Sequence, residues 1–168
     1  MKKIITALAI ALLFLGCSSN SQENKNVEPK LAVGKSLATL HLNDQNEKPE
    51  TIAPDIKTLL FSFSKPIGHA CNAFLESKPT NFLAEHKAVY IADVSPAPTI
   101  IKKMFILPDL KDLKFPILLI NNDKLSAEFT KGMNKDSIVV VTLDNLKITK
   151  IQNLKDAKAL EIFFSKGY

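Results

Sequence analysis

Arginine is absent from this chain of 168 residues, whose 22 basic side chains are all lysines. That removes the planar, two-pronged cation that best grips phosphate or carboxylate and leaves only the point charge of lysine. Against 17 acidic residues the surplus is small and, with Lys2 and Lys3 of the opening segment set aside, spread along the chain. Such a distribution does not mark a nucleic-acid partner, and none is expected. A glycine-rich phosphate loop, a Gly-x-Ser-x-Gly elbow and a His-Glu-x-x-His pair are all missing, so the commonest signatures of nucleotide binding, α/β-hydrolase chemistry and zinc proteolysis are excluded. Cysteine is scarce, with Cys17 and Cys71 the only two. There is no internal repeat.

What is present begins with a targeting signal. Lys2 and Lys3 precede an uncharged apolar run, residues 4–15, that is too short to cross a bilayer as a mature helix. Phe14-Leu15-Gly16-Cys17 resembles the lipobox of bacterial lipoproteins, with a small residue before the cysteine. The resemblance implies cleavage after Gly16, lipid on Cys17 and a membrane-tethered domain on the periplasmic side of the envelope. Ser18 after the cysteine, where Asp is absent, implies sorting to the outer membrane. Residues 1–16 are thus the expected signal peptide, residues 17–30 a polar tether rich in Ser, Asn, Gln and charge, and residues 31–168 one domain. With Cys17 acylated, Cys71 is the only thiol left. No intramolecular disulfide can then form, and stability must come from the core.

The apolar pattern changes period along the domain. Residues 37–42 predict a modest strand and 43–49 a polar turn, and the apolar, aromatic run 59–64 predicts a buried strand punctuated by Pro66 and Gly68. Residues 69–77 and 81–86 predict two short helices, 88–92 a second central strand closed by Asp93, and 100–105 a helical turn or two with Ile101, Met104 and Phe105 packed inward. Strands follow at 115–120, 125–129, 137–143 with Ile-Val-Val-Val at its centre, and 147–151, before a closing helix at 154–164. This order predicts an α/β domain of three layers, a central mixed sheet with helices on both faces.

Several segments also carry a family likeness. Gly34-Lys35-Ser36-Leu37 with residues 40–44, then Leu59-Leu60-Phe61-Ser62-Phe63-Ser64, then Phe115-Pro116-Ile117-Leu118-Leu119-Ile120 before an Asn-Asn-Asp turn, together resemble the thioredoxin-like superfamily. The likeness is to its extracytoplasmic branch of peroxiredoxin-like and thiol-disulfide reductase lipoproteins and spans residues 34–164. Glu47 stands where the branch closes its opening motif with glycine. The resemblance implies that the run 59–64 delivers a redox motif to the start of a helix and that Pro116 faces it as a cis proline.

Where the family carries Cys-x-x-Cys, the sequence reads Gly68-His69-Ala70-Cys71. Glycine takes the place of the attacking cysteine, so a two-cysteine redox cycle within the domain is excluded by count. Cys71 acting alone, with His69 and a helix start lowering its pKa, is one use of the site; a small buried hydrophobe is the other. A Cu(I) site from His69, Cys71 and Met104 or Met133 is a further alternative, weakened because residues two apart on a helix do not share a face; no metal and no cofactor are expected. A groove formed by Gly68, Phe115 and Pro116 would keep backbone groups free to pair with an extended periplasmic peptide or protein. Asp93 is expected to cap the turn to Ser95, and Lys102, Lys103, Lys111 and Lys114 form a basic shoulder, solvated or drawn to anionic headgroups. The resulting expectation is a lipid-anchored binding or structural module that has lost dithiol chemistry. A single-cysteine enzyme is the alternative and a copper-handling protein the second.

Overall fold

The computed structural model describes residues 27–166, so the segment 1–16, Cys17 and the tether as far as residue 26 lie outside the described residues. Seven strands form one sheet: β1 (His41–Asp44), β2 (Pro49–Thr51), β3 (Thr58–Ser62), β4 (Ala88–Asp93), β5 (Ile117–Ile120), β6 (Ile138–Asp144) and β7 (Lys147–Leu154), in the order β2-β1-β5-β4-β3-β6-β7. β3, β4 and β5 run parallel at the centre. β1 lies antiparallel to β5, and β6 antiparallel to β3 and β7. The central strands are continuous apolar runs because both faces are covered.

Alternation of side chains then builds a core on each face. Leu59, Phe61, Ile91, Leu118, Ile120, Val139 and Val141 point to one side, where α5 (Asp123–Thr130) supplies Phe129 and the irregular segment 31–40 supplies Leu31, Leu37 and Leu40. Leu60, Tyr90, Ile117, Leu119, Ile138 and Val140 point to the other. There they meet Cys71, Phe74 and Leu75 of α1 (Lys65–Glu76), Leu83 of α2 (Phe82–Glu85), and Leu160 and Phe164 of α6 (Ala157–Ser165). Among the described residues the core runs from Leu31 to Phe164. The expected three-layer architecture is the one observed. Among the described residues no helix is long and apolar enough to cross a membrane.

Four local expectations need correction. Residues 37–40 are not strand; the irregular segment 34–40 hydrogen-bonds across to the β6–β7 hairpin, with Gly34 N–H on Ile148 O (2.8 Å) and Leu37 N–H on Leu146 O (2.8 Å). Residues 125–129 are helix, because Asn122 caps α5 by accepting from Leu125 N–H at 2.8 Å. α1 starts at Lys65, four residues before the expected position, since Ser64 adopts an extended N-cap conformation and Pro66 sits in the first turn, where its missing N–H costs nothing.

The fourth correction concerns the connection from β4 to β5, a continuous helical stretch made of α3 (Thr99–Ile101), a π-helical turn (Lys102–Ile106) and α4 (Leu107–Lys111). Pro108 would break an ordinary helix interior, but the widened turn before it absorbs the misfit, with Leu107 N–H reaching Lys102 O. The helix therefore continues past Phe105, and the stripe Ile106, Leu107 and Leu110 packs on the core. Met104 and Phe105 consequently face outward, 61% and 55% exposed, with Ile100 at 65% and Ile101 at 40% beside them.

Candidate functional site

β3 ends at Ser62 and the chain enters α1 through Phe63 and Ser64, so the helix N-terminus lies at the end of the sheet where the parallel strands finish. β6 runs antiparallel to β3 with Phe61 opposite Val139, which brings the segment before β6 to the same place. Ser64 Oγ donates to Lys135 O at 2.9 Å across this junction. The residues that face the helix start are thus Asn134, Lys135, Asp136 and Ser137, and the helix itself opens with Ser64, Lys65 and Pro66. Neither side holds a cysteine.

Gly68, His69 and Cys71 lie deeper in α1. Gly68 N–H already makes a helical bond to Ser64 O at 2.9 Å, which puts it in the second turn. His69 projects to solvent, while Cys71 is 0% exposed in the core layer. Desolvation pushes the Cys71 thiol up to about 12 from its ordinary value of 9.0, against the opposing pull of a hydrogen bond from Tyr90. Tyr90 is itself buried, its phenol held well above its usual range first by burial. Its hydroxyl shares a 2.9 Å hydrogen bond with Ser62 Oγ. With Ser62 donating to Tyr90 and Tyr90 donating to sulfur, the chain Ser62–Tyr90–Cys71 is satisfied internally. A Cβ at Gly68 would sit 3.7 Å from Ser62 Oγ, an ordinary contact, so glycine is not imposed there by space.

The expected groove at Phe115 and Pro116 is not formed. β5 is parallel to β4 and β3, so its first residues stand at the opposite end of the sheet from the start of α1. Among the described residues no peptide bond is cis. Phe115 is core, with its ring centroid 6.4 Å from that of Tyr90. The backbone beside Pro116 is also taken. Buried Gln45 donates from Nε2 to Phe115 O at 3.0 Å and accepts Ile117 N–H on Oε1 at 2.9 Å, so its amide stands in for the ladder that the proline interrupts. No backbone pair remains there for an incoming peptide. Nothing about Gln45 in a polar turn signals this role in sequence. Tyr90, a phenol in the middle of an apolar strand, does signal a buried partner.

The copper alternative finds no donor set. Cys71 belongs to one core and Met133 packs against the other, with the sheet between them. His86 lies in the aromatic layer, with Nδ1 2.8 Å from Phe82 O and its ring 5.0 Å from Phe164. Among the described residues no three His, Cys, Asp or Glu side chains converge as metal ligands. Asp93 caps as expected, accepting Ser95 N–H at 3.0 Å and the Ser126 hydroxyl at 2.5 Å. A cleft of about 220 Å³ opens beyond the ends of β4 and β5, lined among others by Asp44, Lys102 and Asn121. Its polar groups are partly engaged: Asp44 accepts from Asn46 and Lys48 N–H, and Lys102 donates to Asn121 O.

A parallel β-α-β unit, an antiparallel hairpin and a closing helix on the α1 face complete the arrangement. The fold is thioredoxin-like. A Neisseria meningitidis protein assigned as a thioredoxin superposes with a TM-score of 0.54 at 16% identity, covering 80% of this chain and 90% of its own. The thioredoxin domain of a thiol-disulfide oxidoreductase from Bacteroides vulgatus gives 0.53 at 13% identity, covering 81% and 97%. A thio-disulfide isomerase from Thermus thermophilus gives 0.50 at 16% identity, covering 81% and 96%. No family model matches the chain, and no curated protein matches it in sequence. This thioredoxin-like domain has no Cys-x-x-Cys pair.

Proposed function

We propose that the chain is an envelope lipoprotein, acylated at Cys17 and held on the periplasmic side of the outer membrane, whose thioredoxin-like domain carries no thiol chemistry and serves as a binding or structural module. The anchor reading is supported by the sequence Phe14-Leu15-Gly16-Cys17 and by Ser18 after it. The observation that carries the loss of chemistry is Cys71: fully buried, with its thiol pushed up to about 12, it holds almost no thiolate at neutral pH, and thiolate is the reactive form. Ser64 and Lys65 occupy the helix start, where an attacking cysteine would gain acidity from the helix dipole. Alkylation of Cys71 with iodoacetamide at neutral pH, with a urea-unfolded control, tests the reading. Protection in the native state and modification on unfolding are expected. A native rate matching or exceeding that of the unfolded chain would sink the proposal and restore a single-cysteine enzyme.

A further inference from the structure

The helical stretch from Thr99 to Lys111 is apolar on two sides, and only one of them is covered. Ile106, Leu107 and Leu110 pack on the core, whereas Ile100, Ile101, Met104 and Phe105 are turned to solvent. Large apolar side chains gathered on one exposed turn mark a contact surface more often than chance exposure. Lys102 and Lys103 sit between them in sequence, and Lys111 and exposed Lys114 follow; Asp109 and Asp112 stand near the far end, so the positive charge is concentrated at the first turns. A phenyl ring, a thioether and aliphatic groups beside lysines, whose stems can lie along an apolar surface with the ammonium in water, match the depth profile of an anionic bilayer interface.

The geometry of the chain end favours the same occupant. Val27 O accepts a hydrogen bond from Lys131, the residue that follows α5, so the start of the described chain is fastened to the folded domain. From Cys17 to Val27 an extended chain spans at most about 35 Å. A lipid at Cys17 would therefore keep the domain within reach of the membrane, close enough for the exposed turn to meet it. We propose that the turn carrying Ile100, Ile101, Met104 and Phe105, with Lys102 and Lys103, docks peripherally on an anionic lipid surface and orients the domain beside its anchor. The orientation, though not the lipid contact itself, rests on the anchor reading above.

A chain from Ser18 to Tyr168 keeps every core residue among the described residues and lacks Cys17, so the contact can be measured without the anchor. Flotation with vesicles of phosphatidylethanolamine and phosphatidylglycerol, against phosphatidylcholine alone, is expected to show binding to the anionic vesicles that weakens with salt. Binding should fall at least about tenfold in Met104→Ser/Phe105→Ser and also in Lys102→Glu/Lys103→Glu, with thermal unfolding midpoints unchanged. In this tryptophan-free chain, Phe105→Trp should shift its emission to the blue on the same vesicles. No flotation at any lipid concentration, or equal flotation of all variants, overturns the proposal. So does a self-associating wild type that the Met104/Phe105 variant renders monomeric without vesicle binding, which would make the patch a protein interface. Acylation of Cys17 is read separately from the mass of protein extracted from membranes, so either reading can fail alone.

Discussion

A thiol enclosed in an apolar layer can lose its proton only at the expense of the layer, and this makes Cys71 a source of pH dependence. Its folded value of about 12 lies above the ordinary 9.0 of an exposed thiol, so between those limits the unfolded chain binds fewer protons than the native one. The contribution is whole below pH 9 and is lost as the pH rises toward 12, about 4 kcal/mol in all. The difference in unfolding free energy between the wild type and Cys71→Ala isolates it from the titration of lysines and tyrosines. At neutral pH the variant should be less stable by about 1–2 kcal/mol, through a small void and the loss of the acceptor for Tyr90, and the gap should close or invert above pH 9. A gap independent of pH would refute the assignment. Gln45 acts through geometry instead of charge. Gln45→Leu leaves Phe115 O and Ile117 N–H buried without partners, and a loss of about 2–4 kcal/mol in urea titration is expected.

The start of α1 offers a helix N-terminus that would activate a thiol, and it carries no sulfur. Ser64 is the N-cap, partly exposed, and its side chain caps no helix N–H but turns to Lys135 O. Ser64→Cys is expected to produce a thiol that alkylates faster than a free cysteine at pH 7, because the helix N-terminus stabilises thiolate; Cys71 in the same molecule should stay protected. Equal slow rates for both would show that the site is shielded. Much of this scaffold is legible in the sequence, because runs such as 59–64, 88–92 and 137–143 carry the continuous apolar signature of strands buried on both faces. The helix boundaries and the pairing of the site are not. Pro66 reads as the end of a strand, yet it sits in the first turn of a helix, and Pro108 lies inside a helical stretch behind a π-turn. Pro116 resembles a cis proline only until topology puts its strand parallel to β3, and local sequence does not reveal which strand lies next to which.

At the scale of the whole molecule, the proposed anchor makes the position of the domain in the cell depend on Cys17. If Cys17 carries the lipid, Cys17→Ser should move the protein from the membrane fraction to the soluble periplasmic fraction in cells, while the folded domain keeps its melting temperature. Retention in the membrane at high salt with cleavage after Gly16 blocked would instead indicate an uncleaved segment. Part of any residual attachment should respond to Lys102 and Lys103, whose attraction is screened by salt, unlike an acyl chain.

The segment from Lys30 to Leu40 has a consequence for the order in which the molecule is assembled. Lys30 N–H bonds to Glu128 O, Gly34 to Ile148 O and Leu37 to Leu146 O, so the first part of the domain to be synthesised is seated on α5 and on the last hairpin. Contacts so distant in sequence form late, after their loop-closure cost can be recovered. Leu31, Leu37 and Leu40 must wait, uncovered, until β6 and β7 have emerged. The domain thus closes over its own beginning only once its end has arrived.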